Sequence, residues 1–541
     1  MENRCIYGCA HRYRRGYSLP SYRDCSTTKE PCQMGKEQLL WQEQAQAKSV
    51  SKGKISLFYI FDVFQAHSGL LAYLPIIVVT ICIFGGLSWQ VFLPITDPAR
   101  YQCYALTFWL GSSALALLPA GQCSFLSLTT SQPAFHLLPL EYPPLTLVLF
   151  SLALFAPLPY YQFAFALWMA LVAALIYWLL RRYGPRNSAP VFALYLFLGA
   201  IPTAQQRFDL LPAALTLICI IAAERKHWNI AYIALAFGTL LKLYPALLLP
   251  ALFIAEQQTK KLTPQGTAQG TAQGTAQGTH KGQDRSNKGS AGHPQGMPLQ
   301  WYEAACDERS YHCRGIPCGC PAALWFFGLV LGITGFFALL DFQGAVVSQL
   351  SYFLHRPIQV EALGSTFLWL GNDFGFPIKI IYSFGSTNII SALERTVSLI
   401  CSLLLIAGIT FTLFMQWRGK LDLTQASIAL LLVFIATGKV FSPQYLIWLM
   451  PLLAYAGAFD LIWLLAWGSI SALTTYIFIF YYSRPVNDPT LIPYAPNFAQ
   501  MVAIRNACFV LLTLAYLCNW LQVRQRKLLP TALKEEVSLL K

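Results

Sequence analysis

The feature that most constrains this chain is the way its apolar residues arrive in long blocks, such as 71–94, 160–180, 322–340 and 391–415. A stretch of about 20 apolar residues spans the hydrocarbon core of a bilayer as a helix. With no water in that core to satisfy backbone groups, helices are the open-ended structure that can cross it. Composition agrees. The chain has 541 residues, of which 56% are hydrophobic and 11% charged, against about 25% charged in an average soluble domain. A soluble fold of this composition would lack the polar surface to stay dissolved. The aromatic share of 14% suits rings gathered at two membrane interfaces.

The formal net charge is +14. In a soluble protein this would raise nucleic acid as a partner, but in a membrane chain the basic residues set topology by collecting in cytoplasmic loops. The basic clusters fall where this rule puts them: Arg12, Arg14, Arg15 and Arg23 near the start, RRYGPR at 181–186, ERKH at 224–227, MQWRGK at 415–420 and VRQRK at 523–527. No cleavable signal peptide is read, because residues 1–54 are polar and basic without an apolar core. Residues 99–118 and 141–157 read as interfacial helices in the first external loop. The block 229–255 is interrupted at LKLYP, 241–245. It must cross twice to keep the next loop cytoplasmic, which a broken helical hairpin allows. The expectation is an all-α polytopic bundle of about twelve transmembrane helices, with both termini cytoplasmic.

Five regions follow: a polar tail at 1–54, a membrane module at 55–255, a polar insert at 256–320, a second membrane module at 321–522 and a tail at 523–541. The insert contains the repeat QGTAQGTAQGTAQGT, 265–279, which has no apolar content with which to build a core. After it, Cys306, Cys313, Cys318 and Cys320 with His312 invite a zinc reading. The spacing lacks paired C-x2-C knuckles, and a reduced cysteine-rich loop is the reading preferred. Cys82, Cys219, Cys401, Cys508 and Cys518 lie within apolar segments, where cysteine acts as a small hydrophobe. Cys103 and Cys123 share one external loop, where conditions are oxidising, and can pair.

The external side collects Asp97, Glu141, Arg207, Asp209, Lys242, His355, Arg356, Glu361 and Lys439. Ionisable groups at membrane depth are costly and are usually paired or functional. A carboxylate there can take a proton from an acceptor hydroxyl, and cations can hold a phosphate leaving group through charge-assisted bonds. Asp97 is the best-placed base, with His355, Arg356 and Lys242 as the phosphate clamp. The competing reading of Asp97 is structural, since T-D-P-A-R also looks like a capped helix start with proline in its first turn. Asp97, Glu141 and Asp209 could share a cation, but no ligand spacing is diagnostic, so no metal or other cofactor is assigned.

At these positions the chain resembles glycosyltransferase family 87, integral membrane enzymes of the GT-C fold that use polyprenyl-phosphate sugars. The segments that carry the resemblance are ITDPARYQCYA (95–105), EYPPLTLVLF (141–150), RFDLLPAAL (207–215), FGTLLKLYPALLLP (237–250), HRPIQVEALGS (355–365) and KVFSPQYLIWLMP (439–451). They occur in family order across most of residues 60–520. The resemblance implies that Asp97, after the first span, is the catalytic residue, and that His355 and Arg356 hold the lipid phosphate. Tyr101, Glu141, Tyr142, Arg207, Asp209, Tyr244, Glu361, Lys439, Gln444 and Tyr445 are further site candidates, and several of them match family motif positions. Acceptor contacts in 118–140 do not carry over.

The implied activity is inverting transfer of a hexose, mannose by resemblance, from a polyprenyl-phosphate donor to a glycolipid or polysaccharide, on the outer face of a bacterial plasma membrane. Membrane lipids are the other expected partner, and nucleic acid is not one. The alternative class is a lipid-linked-sugar flippase or other transporter. Such proteins often pair broken helices in matched halves, and no counterpart of 241–245 stands in the second half.

Overall fold

The computed structural model describes residues 69–87, 96–126, 133–201, 203–262, 321–458, 460–482 and 488–518. The terminal tails, the glycine- and threonine-rich repeat and the cysteine-rich segment before residue 321 lie outside the described residues. What is described is mostly helical, as the apolar blocks require.

The first half contains α1 (Leu74–Leu87), α2 (Asp97–Leu110), α3 (Thr146–Leu152), α4 (Tyr161–Tyr183), α5 (Ser188–Ala200), α6 (Leu210–Glu224), α7 (Trp228–Leu241) and α8 (Leu249–Leu262). The second half contains α9 (Pro321–Leu340), α10 (Ser348–His355), α11 (Leu363–Asp373), α12 (Glu394–Trp417), α13 (Leu423–Thr437), α14 (Tyr445–Ala456), α15 (Leu461–Ile477) and α16 (Phe498–Leu517).

Among the described residues, five helical segments are long and apolar enough to cross a membrane: Leu158–Tyr183, Ala322–Leu340, Glu394–Trp417, Leu461–Tyr482 and Phe498–Leu517. Only 11% of the apolar window is buried inside the protein for Ala322–Leu340 and for Glu394–Trp417. Their apolar faces are left outward, where lipid solvates them and water would not. The other apolar helices have 10–17 residues. At 1.5 Å per residue, a helix of 14 residues is about 21 Å long, shorter than the ~30 Å hydrocarbon core. Among the described residues five helices are therefore of full spanning length, and the expected twelve crossings are not established by helix length.

The centre of the bundle is α14. It is apolar on every side, and every residue from Leu446 to Tyr455 is buried. That is the pattern of a helix enclosed by others. It packs on α4, α5, α6 and α13. The apolar block 229–255 is interrupted as the sequence suggests. α7 ends at Leu241, Lys242 is in extended conformation, and a short 3-10 turn at Tyr244–Leu248 leads into α8. Tyr232, near the start of α7, donates a hydrogen bond to Glu256, in the second half of α8, at 2.9 Å. That bond links the two sides of the break, while α7 packs on α6 and α9, and α8 on α12 and α13.

The segment 341–390, expected to be external, departs from the all-helical expectation. It carries α10, α11 and a three-stranded antiparallel sheet of β1 (Ile358–Gln359), β2 (Ile378–Ser383) and β3 (Ser386–Ser391), in the order β1-β3-β2. IKIIYS and STNIIS are rich in β-branched residues and flank the two-residue turn Phe384–Gly385. Ser383 is opposite Ser386 in the register, and both turn residues have positive φ (53° and 69°), the conformation of a tight hairpin turn. The disulfide Cys103–Cys123 forms, tying α2 to the loop that follows it.

One buried ion pair anchors the sheet to the bundle. Arg505 of α16 is fully buried and donates to the Glu361 carboxylate at 2.9 Å, while its guanidinium lies 3.7 Å above the Phe441 ring. Asn506 donates to the Glu361 and Ala362 carbonyls at 3.3 and 3.2 Å. Removing one partner of such a pair leaves an uncompensated buried charge, at a cost of about 3–5 kcal/mol. Glu361→Ala is expected to lower the thermal unfolding midpoint of the protein in detergent sharply, and the double variant Glu361→Leu/Arg505→Met to recover part of the loss. A double variant no more stable than the single one would contradict this account.

Candidate functional site

The site is built where α2 begins. Thr96, not Asp97, caps that helix: its hydroxyl oxygen accepts from the Ala99 backbone N–H at 3.4 Å. Asp97 is the first helical residue, with Pro98 behind it. The capping reading of Asp97 therefore falls, and its carboxylate is available for other work. Arg207 pairs with Asp97 Oδ2 at 2.6 Å, with side-chain exposures of 22% and 16% respectively. One turn on, Arg100 pairs with Glu141 at 2.7 Å and lies 4.6 Å from the Phe125 ring centre. Tyr101, one turn after Asp97, is buried in the core. Its ring stacks on Phe150 at 4.2 Å and stands edge-on to Tyr142 and Phe208. That aromatic packing fixes the first turns of the helix and so the place of Asp97, one turn before Tyr101.

The break between α7 and α8 supplies Lys242. Its ammonium pairs with Asp209 Oδ1 at 2.7 Å. The same oxygen accepts from the Trp448 indole N–H at 2.6 Å. Asp209 is fully buried, and its Oδ2 has no hydrogen-bond partner. Trp448 is in turn stacked by Tyr244 and by Tyr445, both at 4.1 Å between ring centres.

The third part comes from the sheet. Arg356 precedes β1 and donates to the Tyr352 hydroxyl and, at 2.8 Å, to Ser386 Oγ. Burial, the main cause, raises the Tyr352 phenol above the ordinary tyrosine range, so it remains a neutral hydroxyl under Arg356. Gln359 joins β1 to the loop before α14: its backbone N–H donates to the Lys439 carbonyl at 2.9 Å, and its side-chain oxygen accepts from the Phe441 N–H at 3.0 Å.

These groups line one cavity of about 350 Å³. It brings together the expected Asp97, Glu141, Tyr142, Arg207, Lys242, Tyr244, Arg356, Lys439, Gln444 and Tyr445. Asp209 lies beneath it as the counter-charge of Lys242. Three expected residues are placed elsewhere. Tyr101 packs in the core against Tyr142, Phe150 and Phe208 and does not line the cavity. Glu361 is the buried partner of Arg505. His355 is exposed at the last turn of α10, its ring 3.3 Å from Ser351 of the same helix, and it does not line the cavity. An adjacent HR pair at a helix end sends its two side chains in different directions, and only Arg356 faces inward.

Arg100, Tyr352, Gln359 and Trp448 were not singled out from the sequence, although all four line the cavity. Arg100 carried a signal, since it lies three positions after Asp97 and so on the same helix face. The others depend on contacts distant in sequence. Among the described residues, no group of three or more His, Cys, Asp or Glu side chains is arranged to hold a metal ion. The three acids of the site each pair with a different cation.

The charges do not balance. Arg100, Arg207 and Lys242 have carboxylate partners. Among the described residues Arg356 bonds only to hydroxyls and its Nε is buried without a partner, and Lys439 forms no ion pair, though Glu394, outside the cavity lining, feels its charge. The cavity thus carries two cations beyond its carboxylates, which suits an anionic ligand.

The architecture defines a helical membrane protein with an acidic and basic cavity where its helices meet a small antiparallel sheet. Residues 140–272 match the model of glycosyltransferase family 87, bearing out the family resemblance over that stretch, which supplies Glu141, Tyr142, Arg207, Lys242 and Tyr244 to the cavity. The match supports a membrane glycosyltransferase. Comparison with curated proteins and with solved structures gave no significant match.

Asp209→Asn keeps the shape of the side chain but removes the counter-charge of Lys242. It is expected to destabilise the fold by about 3–5 kcal/mol, read as a lower midpoint in thermal denaturation of the solubilised protein. An unchanged midpoint would show that the pair does not hold the helix break.

Proposed function

We propose that this protein transfers a hexose, with mannose the first candidate, from a polyprenyl-phosphate donor to a glycan-bearing acceptor on the outer face of a bacterial plasma membrane. The observation that carries the reading is the charge surplus at Arg356 and Lys439 in the same cavity as Asp97. A leaving lipid phosphate needs cations that are not already neutralised, and an attacking hydroxyl needs a carboxylate within reach.

The mechanism follows from these roles. The donor phosphate sits against Arg356 and Lys439. Its prenyl tail leaves past Leu243, Leu405 and Phe434, which line the cavity, beside α12 with its outward apolar face. Arg207 fixes Asp97 through Oδ2, while Oδ1 makes no hydrogen bond among the described residues and is the oxygen that receives the proton. The acceptor oxygen attacks the anomeric carbon as the carbon–oxygen bond to phosphate breaks. The proton goes to Asp97, the electron pair to the phosphate, and the configuration inverts. In this reading the protein's own cations take up the leaving group's charge, without a cofactor. Gln444 and Tyr445, at the start of α14, and Tyr244 shape the cavity around the transferred sugar.

General-base catalysis contributes typically 10²–10⁴-fold. Asp97→Asn is therefore expected to lower kcat by at least about 100-fold in a transfer assay with polyprenyl-phosphate-mannose and mannolipid acceptors in nanodiscs, with little change in the donor KM. Activity retained in that variant would discard Asp97 as the base. Arg356→Ala and Lys439→Ala should each raise the donor KM by about 10-fold or more, since a charge-assisted hydrogen bond contributes roughly 1.5–3 kcal/mol. His355→Ala, outside the cavity, should leave the donor KM within about twofold, corresponding to a free-energy change of about 0.4 kcal/mol or less. Donor-dependent lipid scrambling in liposomes without transfer product would replace this reading with a flippase.

A further inference from the structure

A second, larger cavity of about 900 Å³ adjoins the first. Arg100, Glu141, Tyr352 and Gly385 line both, so the two spaces share one wall. We propose that the larger cavity binds the sugar rings of an uncharged oligosaccharide acceptor. Its role as an acceptor site rests on the transferase reading, whereas its chemical class is argued from its own lining.

The lining selects for carbohydrate. Rings from Tyr382 and Phe384 line the cavity and can pack on the apolar sides of pyranoses, with Phe125 beneath Arg100 and Tyr104 behind it. Ser124, Gln343, Ser348 and Ser351 offer donors and acceptors for hydroxyls. The charged residues of the lining are Arg100 and Glu141, which neutralise each other at 2.7 Å. The first cavity has a surplus of cations, whereas this one has none, so its ligand is neutral. Its volume is near the top of the roughly 300–1,000 Å³ range of drug-sized pockets, and the first cavity is near the bottom. That contrast fits several sugar rings on one side of the wall and one sugar phosphate on the other.

The hairpin turn gives independent support. Phe384 holds φ +53°, a conformation that costs a non-glycine residue about 1–2 kcal/mol and for which turns of this type prefer Asn or Gly. Its ring makes an edge contact with Tyr352 at 5.6 Å and lines the large cavity. Strain kept at such a place points to a role for the side chain. Gly385, at φ +69°, rests against the Glu141 carboxylate so closely that a Cβ would collide with it. The turn therefore positions the wall between the two cavities, and Phe384 faces the acceptor side.

The test is saturation-transfer NMR on the full-length protein in nanodiscs without donor. The probes are a panel of neutral hexose oligosaccharides from one to four rings, with uronic-acid oligosaccharides as the charged comparison. The expected result is saturation transfer to neutral tri- and tetrasaccharides, weaker for monosaccharides and for the charged set. Tyr382→Ala and Phe384→Gly should each weaken binding by at least about fivefold, or roughly 1 kcal/mol. Lys379→Ala, on β2 but outside the lining, should not. Phe384→Gly also relieves the strained turn, so its unfolding midpoint should hold or rise while affinity falls, which separates a lost contact from a damaged fold. No binding by any neutral oligosaccharide, equal binding of the charged set, or unchanged affinity in both variants would overturn the proposal. Because donor is absent, the result is independent of the transfer assay: failed transfer with retained binding removes the transferase reading and leaves this site standing.

Discussion

The arrangement turns on the contact between Lys242 and Asp209. A lysine placed in an apolar block is tolerable only with a counter-charge, and Asp209 provides it from the start of α6. The pair allows the chain to stop helix α7 at Leu241, turn and continue as α8, because the amine that marks the break is neutralised where it enters the protein. Asp209 also accepts from Trp448, so the pair fixes the central helix α14 in rotation. The aromatic stack of Tyr244, Trp448 and Tyr445 follows from that. Without the pair, the break, the stack and the floor of the cavity would each lose their reference point.

Around that floor, the cations divide by what they touch. Those rooted in the membrane module are matched by acids from other parts of the chain, as buried charges must be. The two supplied by the small sheet and its neighbouring loop form no ion pair among the described residues. Arg356 is held by a phenol and a serine, and Lys439 is positioned through its backbone by Gln359. The sheet, anchored from behind by Glu361 and Arg505, thus presents positive charge to a space whose remaining charges are already paired. This division of labour explains why a small β-structure is built onto a helical bundle.

Much of this was legible in the sequence, and the parts that were not share a cause. Apolar blocks and basic loops marked the helices, and LKLYP marked the break, because each is a local pattern. Most of the polar cluster was also legible, since charged residues are conspicuous against an apolar background. Direction was not. His355 and Arg356 are neighbours in sequence, but the end of α10 turns one outward and the other in. Glu361 is charged and near the site, yet it serves Arg505, whose own place in the middle of α16 gave no hint of a partner 144 positions away. The crossing number was the weakest expectation, because apolar composition does not say whether a 14-residue helix crosses alone or is shielded by its neighbours. The sheet was missed although IKIIYS and STNIIS carry strand-forming residues, because the surrounding membrane pattern made a loop the simpler reading.

The disulfide between Cys103 and Cys123 reaches further than its covalent bond. Cys103 sits on the helix that opens with Asp97, and Cys123 sits in the loop whose neighbours Gln122, Ser124 and Phe125 line the larger cavity. Gln122 also donates to the Ala99 carbonyl at 3.1 Å. One bond therefore ties the wall of one cavity to the helix that carries the carboxylate of the other. A thiol pair closes only in an oxidising compartment, so the geometry of the site depends on which side of the membrane the loop has reached. In the orientation proposed above, a loop left on the reducing side would lack this tether, and the same two sulfur atoms would report both folding and membrane orientation.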